Sequence, residues 1–482
     1  MLIKKNTMRI LSIILLSLFV VGCSSTKTKK QKKPNVVLIL VDDMGWTDLG
    51  SYGSDLYQSP NIDKLANEGV QFTNSYAACT VCSPTRASIA TGKYPARINV
   101  TDWIEGHKFP WAKLNVPDWT MYLPEEEYTM AEAFKDAGYK TAHFGKWHLG
   151  EKEENWPENH GFDLNVGGWK KGSPNRNKKE GYKGYFSPYG NPRLEDGPEG
   201  EYLTERLANE VCDYIDKNRD EPFFVNLWLY NVHTPLQAKQ EKIDKYKALI
   251  DTTSRHQNAT YAAMVEHTDD AVGKIINKLK EQGLYENTII LFTSDNGGLI
   301  GKSKNKVTNN APLRTGKGDI YEGGTRIPTI IYAPSLNFTG KKVDDPIISM
   351  DYYPTLTDLA GITTKKIKSQ TIDGKSLLPL MQGKATEREA VYWHYPHYHQ
   401  EGGVPYSSVR MGDWKLIENF ETETFELYDL KNDISESENL IDANPEIVAE
   451  LKNKLIDWRA NVNAQYASPN ENFNKAKERK KK

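Results

Sequence analysis

The sequence predicts an α/β fold in which a mixed, mostly parallel sheet is sandwiched by helices and followed by a smaller C-terminal antiparallel sheet. Apolar runs the length of a strand recur between Val36 and Tyr332, and polar residues bound each run, as in strands buried on both faces. Helical patterns alternate with these runs, which favours parallel strands joined by helices. After about Lys384 the segments become short and are separated by turn residues, which is typical of a small antiparallel sheet.

Periodicity and capping signals give the elements in order. Nearly continuous apolar runs predict the strands of the larger sheet, which are Val36–Val41, Thr141–Phe144, Phe223–Tyr230, Thr288–Phe292 and Ile327–Tyr332. Helical spacing and end signals predict helices over Pro60–Glu68, from the capping box Thr129-x-x-Glu132 to near Gly138, over Met264–Leu279, and over Pro445–Val462. The predicted strands of the smaller sheet are Ala390–His394, Ser407–Met411, Trp414–Ile417 and Phe425–Tyr428.

Length and charge limit the classes of function. The 482 residues suffice for one large α/β domain and a smaller one. The 62 Lys and Arg residues nearly balance the 64 Asp and Glu residues, so the formal net charge is −2. No overall field favours nucleic acid, and an anionic substrate must therefore be held by a local site.

The N-terminus predicts export. A basic start precedes the apolar run Ile10–Val21, which is too short for a membrane-spanning helix of roughly 20 residues, and Gly22 and Cys23 follow. Val20–Cys23 resembles a bacterial lipoprotein signal, which implies that Cys23 becomes the lipidated first residue and anchors the protein in the cell envelope. A plain cleaved signal peptide is the alternative.

The four cysteines form no disulfide framework, because Cys23 belongs to the export signal and three remain. Cys79-x-x-Cys82 has the spacing of a redox motif or of half a zinc site. There is no second Cys-x-x-Cys pair, and Cys212 stands alone on a helical stretch. These observations disfavour both the redox and the zinc interpretation.

Polar residues follow four of the predicted strands, at the edge of the sheet where sites in parallel α/β proteins collect. They are Asp42, Asp43, Lys146, His148, His233, Asp295 and Asn296. Two adjacent carboxylates and a distant Asp-Asn pair make an all-oxygen ligand set, which favours Ca²⁺ or Mg²⁺ over zinc. The alternative is that each pair caps a strand or helix.

The segment Cys82-Ser83-Pro84-Thr85-Arg86 resembles the maturation signal of the type I sulfatases of the alkaline phosphatase superfamily. Further landmarks of that family follow over nearly the whole chain, namely Asp42–Gly45, Gly145–His148, His233–Pro235, Ser294–Gly298, Lys317 with Glu322–Arg326, and Gly412–Leu416 with Glu426–Leu430. The resemblance implies an alkaline-phosphatase-like fold and sulfate ester hydrolysis. It also implies a partner enzyme that oxidises Cys82 to formylglycine (3-oxoalanine).

The resemblance further assigns roles to single residues. It implies that Asp42, Asp43, Asp295, Asn296 and the modified Cys82 bind Ca²⁺, with Mg²⁺ possible, and that a hydroxyl of the formylglycine hydrate attacks sulfur. Asp295 is the expected base for that hydroxyl. Arg86 and Lys146 are expected to hold the modified side chain, and Lys146 and Lys317 to neutralise the sulfate oxygens. His233 is the expected general acid, and His148 the expected base for the elimination step. Taken alone, His233 is more typical of a structural histidine.

The resemblance also bears on the substrate. Thr91–Gly106 resembles the group of these enzymes that acts on algal or host glycans such as carrageenan or ulvan, so the expected partner is a sulfated carbohydrate. Arg97, Asp102, His107 and His394 are the predicted substrate contacts, with ordinary surface loops as the alternative. Two other functions stay open: a phosphatase or phosphonate monoester hydrolase of the same superfamily, and a catalytically inactive glycan-binding lipoprotein.

These interpretations divide the chain into five parts. Residues 1–22 are the predicted lipoprotein signal peptide and 23–33 a flexible tether. Residues 34–385 are the predicted sulfatase catalytic domain, and 386–466 a smaller α+β subdomain. Residues 467–482 form a polar, Lys-rich tail.

Overall fold

The computed structural model describes residues 33–302, 305–474 and 477 of the chain. The predicted signal peptide, the lipidated Cys23 and the tether up to residue 32 lie outside the described residues, as does most of the tail after 474. Within the described part of the chain, no helix is both long enough and apolar enough to cross a membrane.

An eight-stranded mixed sheet forms the centre of the structure, in the order β12-β2-β11-β8-β1-β7-β5-β6. Five neighbouring strands, from β8 to β6 in this order, are parallel, and β11 runs against both of its neighbours. In chain order, the strands that precede the smaller sheet, including those of short two-stranded pairs, are β1 Asn35–Val41, β2 Val70–Phe72, β3 Ser75–Tyr76, β4 Leu114–Asn115, β5 Lys140–Gly145, β6 Leu164–Val166, β7 Phe223–Trp228, β8 Thr288–Ser294, β9 Gly301–Lys302, β10 Asn305–Lys306, β11 Thr329–Tyr332, β12 Lys341–Val343 and β13 Ile347–Ile348.

Helices cover both faces of this sheet because the strands are apolar on both faces. Alternate residues of β1 divide between two cores: Val37 and Ile39 lie in one, and Val36 and Leu38 in the other. The described α-helices are α1 Pro60–Glu68, α2 Cys82–Thr91, α3 Met130–Asp136, α4 Leu203–Asn218, α5 Gln240–Leu249, α6 Ala259–Glu281, α7 Glu322–Thr325, α8 Tyr352–Leu359, α9 Lys365–Ser369, α10 Leu378–Met381 and α11 Pro445–Asn461. Apolar residues of α1, α4 and α6 fill the first core, and those of α2, α3 and α8 fill the second.

A four-stranded antiparallel sheet follows, in the order β14-β15-β16-β17, with α11 packed on it. Its strands are β14 Ala390–Tyr395, β15 Tyr406–Met411, β16 Trp414–Asn419 and β17 Thr424–Asp429, and β18 Ser468–Pro469 pairs with β4. The predicted fold class is therefore confirmed. The predicted ends of most elements lie within a few residues of the observed ones, and the capping box at Thr129 and Glu132 is present.

A buried ion network ties the smaller sheet to the segment that carries Lys317. The Nζ of Lys415, on β16, lies 3.0 Å from Glu322 Oε1 and 2.9 Å from Glu436 Oε1, and all three side chains are buried. The backbone N–H of Glu322 also donates to Glu436, at 2.7 Å. Burial raises the pKa of Glu436 to about 7, although Lys415 opposes that shift.

Removing Lys415 should destabilise the fold strongly. Lys415→Ala removes the cation that Glu436 pairs with and leaves Glu322 with Arg326 alone, so the free energy of unfolding should fall by about 3–5 kcal/mol. Urea denaturation at neutral pH, followed by circular dichroism, measures this loss. Lys454→Ala is the matched control, because Lys454 forms an exposed pair with Glu389 and its loss should matter far less. Equal losses in both variants would contradict a structural role for the network.

Candidate active site

The ends of four parallel strands bring the predicted site residues to one edge of the sheet. β1 and β8 are in register at Val41 and Ser294, so Asp42 and Asp295 are the next residues of adjacent strands. The backbone N–H of Asp42 donates to Asn231 O at 2.7 Å, and that of Lys146 donates to Trp228 O at 2.7 Å. These bonds extend the ladder just past the strands and fix where each side chain begins.

Helix α2 presents Cys82 to this edge. The helix begins at Cys82, and all ten of its residues are buried. Ligand atoms of Asp42, Asp43 and Cys82 all lie within 4.8 Å of one another. The Nζ of Lys317 approaches the sulfur to 3.8 Å. Cys82 therefore lies against the carboxylates that the sequence predicts as metal ligands.

Three carboxylates and three cations balance each other around Cys82. Arg86 Nη2 lies 2.7 Å from Asp295 Oδ2, Lys146 Nζ 2.6 Å from Asp42 Oδ2, and Lys317 Nζ 2.6 Å from Asp43 Oδ1. None of the six residues is more than 9% exposed. Opposite charges at these distances offset the large cost of burying each group alone.

The cluster leaves oxygen atoms that suit a hard cation. Asp42 Oδ1, Asp43 Oδ2 and Asn296 Oδ1 are buried and have no hydrogen-bond partner among the described residues. Asn296 Nδ2 donates to Asp43 Oδ1 at 2.8 Å, so Oδ1 of Asn296 takes no part in that hydrogen bond. Buried acceptors without donors are rare, and a bound cation with oxygen ligands would satisfy all three. The residues present therefore fit Ca²⁺ or Mg²⁺.

Charge determines the protonation of the ligand carboxylates. Burial favours the neutral form of Asp43, but Lys317 and His233 outweigh it and hold the pKa of Asp43 below its usual range. Asp43 also has a positive φ of 63°, a conformation that Asp adopts more readily than β-branched residues do. The turn after β1 thus directs an ionised carboxylate into the cluster.

The thiol of Cys82 is a poor nucleophile in this position. Burial raises its pKa above the ordinary value for cysteine, although Lys146 and Lys317 oppose the shift. Because the thiolate is the reactive form of cysteine, a raised pKa disfavours direct attack by sulfur at neutral pH.

The hydrogen bonds of His233 define its tautomer. Its Nδ1 donates to the carbonyl of Thr234 at 2.6 Å, so Nε2 carries the lone pair and lies 3.7 Å from Asp43 Oδ2. Burial and the charge of Lys317 lower the pKa of His233 to about 4. His233 is therefore neutral at neutral pH when no anion is bound beside it.

His148 is held by Ser83, whose importance the sequence did not reveal. The hydroxyl of Ser83 donates to His148 O at 2.9 Å and accepts the N–H of Ile104 at 3.1 Å, while His148 Nε2 donates to Ile104 O. The Nδ1 atom of His148 has no hydrogen-bond partner among the described residues. Burial and the charge of Lys146 lower the pKa of His148 well below its usual value, so the ring is neutral. The sequence showed Ser83 only as a spacer between Cys82 and Pro84.

A cavity of about 430 Å³ opens over Cys82. Its lining includes Cys82, Trp103, Ile104, Glu105, His107, His148, Lys170, Lys171, His233, Lys317 and His399. A substrate group in this cavity would thus contact the nucleophile position, two histidines and Lys317 together.

Of the four predicted substrate contacts, His107 lines the cavity, whereas Arg97, Asp102 and His394 do not. Arg97 is held by Asp373 through two hydrogen bonds of 2.8 and 2.7 Å. Asp102 is buried, accepts from Tyr395 Oη at 2.8 Å, and burial raises its pKa to about 7. His394 is buried between the hydroxyl of Ser407 and the carbonyl of Gln465. The polar atoms of these three side chains form hydrogen bonds with other residues of the protein, and these bonds hold the side chains outside the cavity lining.

Two family models match this chain. The model described as Sulfatase matches residues 34–362. The model described as N-sulphoglucosamine sulphohydrolase, C-terminal, matches residues 316–461. Together they span the central sheet, the charge cluster and the smaller sheet.

Relatives and a solved structure are similar to this chain over most of its length. A sulfatase of Formosa agariphila is 35% identical, and the match covers 92% of this chain and 91% of that protein. Human N-acetylgalactosamine-6-sulfatase is 33% identical over 75% of this chain and 68% of its own length. The solved structure of Ps i-CgsB in complex with k-i-k-neocarrahexaose superposes with a TM-score of 0.74 at 30% identity, covering 89% of this chain and 93% of that one.

We expect the affinity of the cluster for Ca²⁺ to depend on Asp43. Asp43→Asn removes one negative charge from the ligand set and should weaken Ca²⁺ affinity at least about tenfold, as isothermal titration calorimetry would show. Asp269→Asn is the matched control, because Asp269 is also buried but accepts the backbone N–H groups of Asn61 and Ile62 instead. Unchanged affinity in Asp43→Asn would exclude the cluster as the cation site.

Proposed function

Because this chain belongs to the sulfatase family and is therefore a sulfuric ester hydrolase, we propose that it removes sulfate from a sulfated polysaccharide or its oligosaccharides. The observation that carries the proposal is the contact of Cys82 with a buried cluster of three carboxylates and three cations. A carbohydrate substrate is supported by relatives whose names specify sulfated sugars, a neocarrahexaose complex among them. An algal glycan such as carrageenan or ulvan is the proposed class.

We further propose that Cys82 is oxidised to formylglycine by a maturation enzyme and that Ca²⁺, or Mg²⁺, is the resident cation. The hydrated aldehyde would supply the oxygen nucleophile and the cation would draw charge from the sulfate. The residues that would hold the cation are Asp42, Asp43, Asp295, Asn296 and the modified Cys82. The raised pKa of the thiol supports the need for conversion.

The cations of the cluster have separate tasks in this mechanism. Arg86 fixes the carboxylate of Asp295, so that its second oxygen accepts the N–H of Asp43 at 3.2 Å. Lys146 and Lys317 stand on either side of the ligand carboxylates and provide positive charge for the oxygens of a bound sulfate. Burial raises the pKa of Asp42, although Lys146 opposes that shift. With all six groups ionised the side chains sum to zero, and a bound divalent cation would favour the ionised form of Asp42 and make the centre positive, as an anionic ester requires.

His233 and His148 are the proposed proton donor and proton acceptor of the reaction. A sugar alkoxide is a poor leaving group and needs a proton, and His233, which lines the cavity, is the proposed donor. A bound sulfate ester would offset the charge of Lys317 and favour the protonated ring. His148, neutral and with Nδ1 available, is the proposed base for the release of sulfate.

A phosphatase with two zinc ions is disfavoured by the ligands present. Such a site needs several His ligands, whereas among the described residues the one compact group of His, Cys, Asp or Glu that fits a metal is Asp42, Asp43 and Cys82. The second alternative, an inactive glycan-binding protein, is disfavoured because every predicted catalytic residue is present and Cys82 is at the cluster.

Export and anchoring form a separate part of the proposal. We propose that Cys23 is lipidated and holds the enzyme in the envelope of a bacterial cell. The support is the basic start, the apolar run Ile10–Val21 and the following Gly22 and Cys23. An enzyme outside the cytoplasm would meet a polysaccharide that cannot enter the cell intact.

Conversion of Cys82 should be visible in its mass. In a host with the maturation enzyme, the peptide that contains Cys82 should be about 18 Da lighter than its cysteine form, because an aldehyde replaces the thiol. Cys82→Ala should release no sulfate from sulfated oligosaccharides. Cys79→Ala should keep activity, because Cys79 is buried outside the cluster and its pKa is raised to about 12. Equal sulfate release by Cys82→Ala and the unchanged protein would refute the mechanism.

The role of His233 should depend on the leaving group. His233→Ala should lower kcat/KM for a sugar sulfate by about 10²–10⁴-fold, because a sugar alkoxide leaves poorly without a proton. For 4-nitrophenyl sulfate, whose leaving group is stable as an anion, the loss should be much smaller. Steady-state kinetics with both substrates give the comparison. The same loss for both would show that His233 is needed for structure or sulfate binding and not as an acid.

A further inference from the structure

Two adjacent lysines, Lys170 and Lys171, line the cavity over Cys82. Neither lies within ion-pair distance of an Asp or Glu among the described residues, and Lys171 Nζ lies 5.8 Å from the ring centre of Trp169. The three cations of the buried cluster, by contrast, each pair with a carboxylate. Lys170 and Lys171 thus add positive charge to the cavity lining that the carboxylates of the cluster do not neutralise.

The segment that carries these lysines is fastened to His148. The N–H of His148 donates to the carbonyl of Trp169 at 3.2 Å, and Trp169 is 8% exposed. On the other side of the lysine pair, Gly172 packs so closely on the His148 ring that a Cβ there would lie 2.3 Å from Cε1. Both ends of the pair are therefore held against His148, which fixes the backbone of the two lysines beside the site.

The rest of the lining suits a sugar. The rings of Trp103 and His107 lie 4.8 Å apart, and those of His107 and His399 lie 5.1 Å apart. Aromatic faces of this kind pack against the apolar faces of sugar rings. Glu105 is the one acidic side chain in the lining and disfavours an anion at its own position. An anionic substituent is therefore directed to the lysine segment.

We propose that Lys170 and Lys171 form a second anion-binding subsite, which holds an anionic group of the glycan other than the sulfate being hydrolysed. The inference rests on the proposed function and narrows its substrate to a saccharide that carries at least two negative charges. Lysine ammonium groups are mobile point charges and do not demand the planar geometry that arginine prefers. The shared chemistry of the ligand is thus an exposed oxyanion, supplied by a second sulfate or by a uronate carboxylate.

Binding to the Cys82→Ala protein tests the subsite without turnover. The probes are κ-carrageenan and ι-carrageenan hexasaccharides, which differ in sulfate content, and a ulvan oligosaccharide, which carries uronate. Lys170→Ala/Lys171→Ala in this background should weaken binding of the preferred probe roughly five- to thirtyfold, and added salt should reduce that difference. Loss confined to ι-carrageenan identifies sulfate as the bound group, and loss confined to ulvan identifies carboxylate.

Kinetics of the unsubstituted enzyme separate this proposal from the proposed function. The double variant should raise KM for the preferred oligosaccharide with little change in kcat, and should leave hydrolysis of 4-nitrophenyl sulfate within about twofold. Lys152→Ala is the control, because Lys152 is exposed, pairs with Glu154 and does not line the cavity. Probe binding that does not depend on the two lysines would overturn the subsite. Lysine-dependent binding without any sulfate release would leave the subsite standing and overturn the proposed function.

Discussion

The structure around Cys82 depends on six buried charges that compensate one another. Asp42, Asp43 and Asp295 stand against Arg86, Lys146 and Lys317, with little exposure to solvent. Any of these groups alone would be costly to bury, so each holds its position only because its partner does. The sulfur lies 3.8 Å from one of these cations and beside two of the carboxylates.

The sheet makes this compensation possible. Adjacent parallel strands end at the same edge, so residues more than 200 positions apart in the chain, such as Asp42 and Asp295, become neighbours. Helix α2 then closes the cluster by placing Cys82 at its first position and Arg86 one turn later. Asp42 and Asp43 each pair with a lysine through one oxygen, and the other oxygen of each has no hydrogen-bond partner among the described residues, like Oδ1 of Asn296.

The cavity over the cluster is lined by both charged and aromatic side chains. Its lining combines Cys82, two neutral histidines and Lys317 with aromatic rings and with Lys170 and Lys171, which form no ion pair with the described part of the chain. Ser83, Trp169 and Gly172 connect that lining to His148 through short contacts. The segment of the cavity lining that carries the two lysines is therefore held by His148, the proposed base for the release of sulfate.

The sequence alone identified five of the eight strands of the larger sheet and all four strands of the smaller one, because period, capping and apolar runs are local properties of the chain; it missed β2, β6 and β12, which have three residues each. It also predicted metal and nucleophile positions, because each of these residues follows a strand or opens a helix and because the motif at Cys82 resembles a known family, and the structure brings Asp42, Asp43 and Cys82 together. It did not show that Arg97 is bound by Asp373, that His394 is enclosed by Ser407 and Gln465, or that Ser83 supports His148. Those outcomes were decided by the tertiary structure, because a polar side chain turns toward whichever partner packing places within hydrogen-bond distance, and the spacing of residues along the chain does not contain that information.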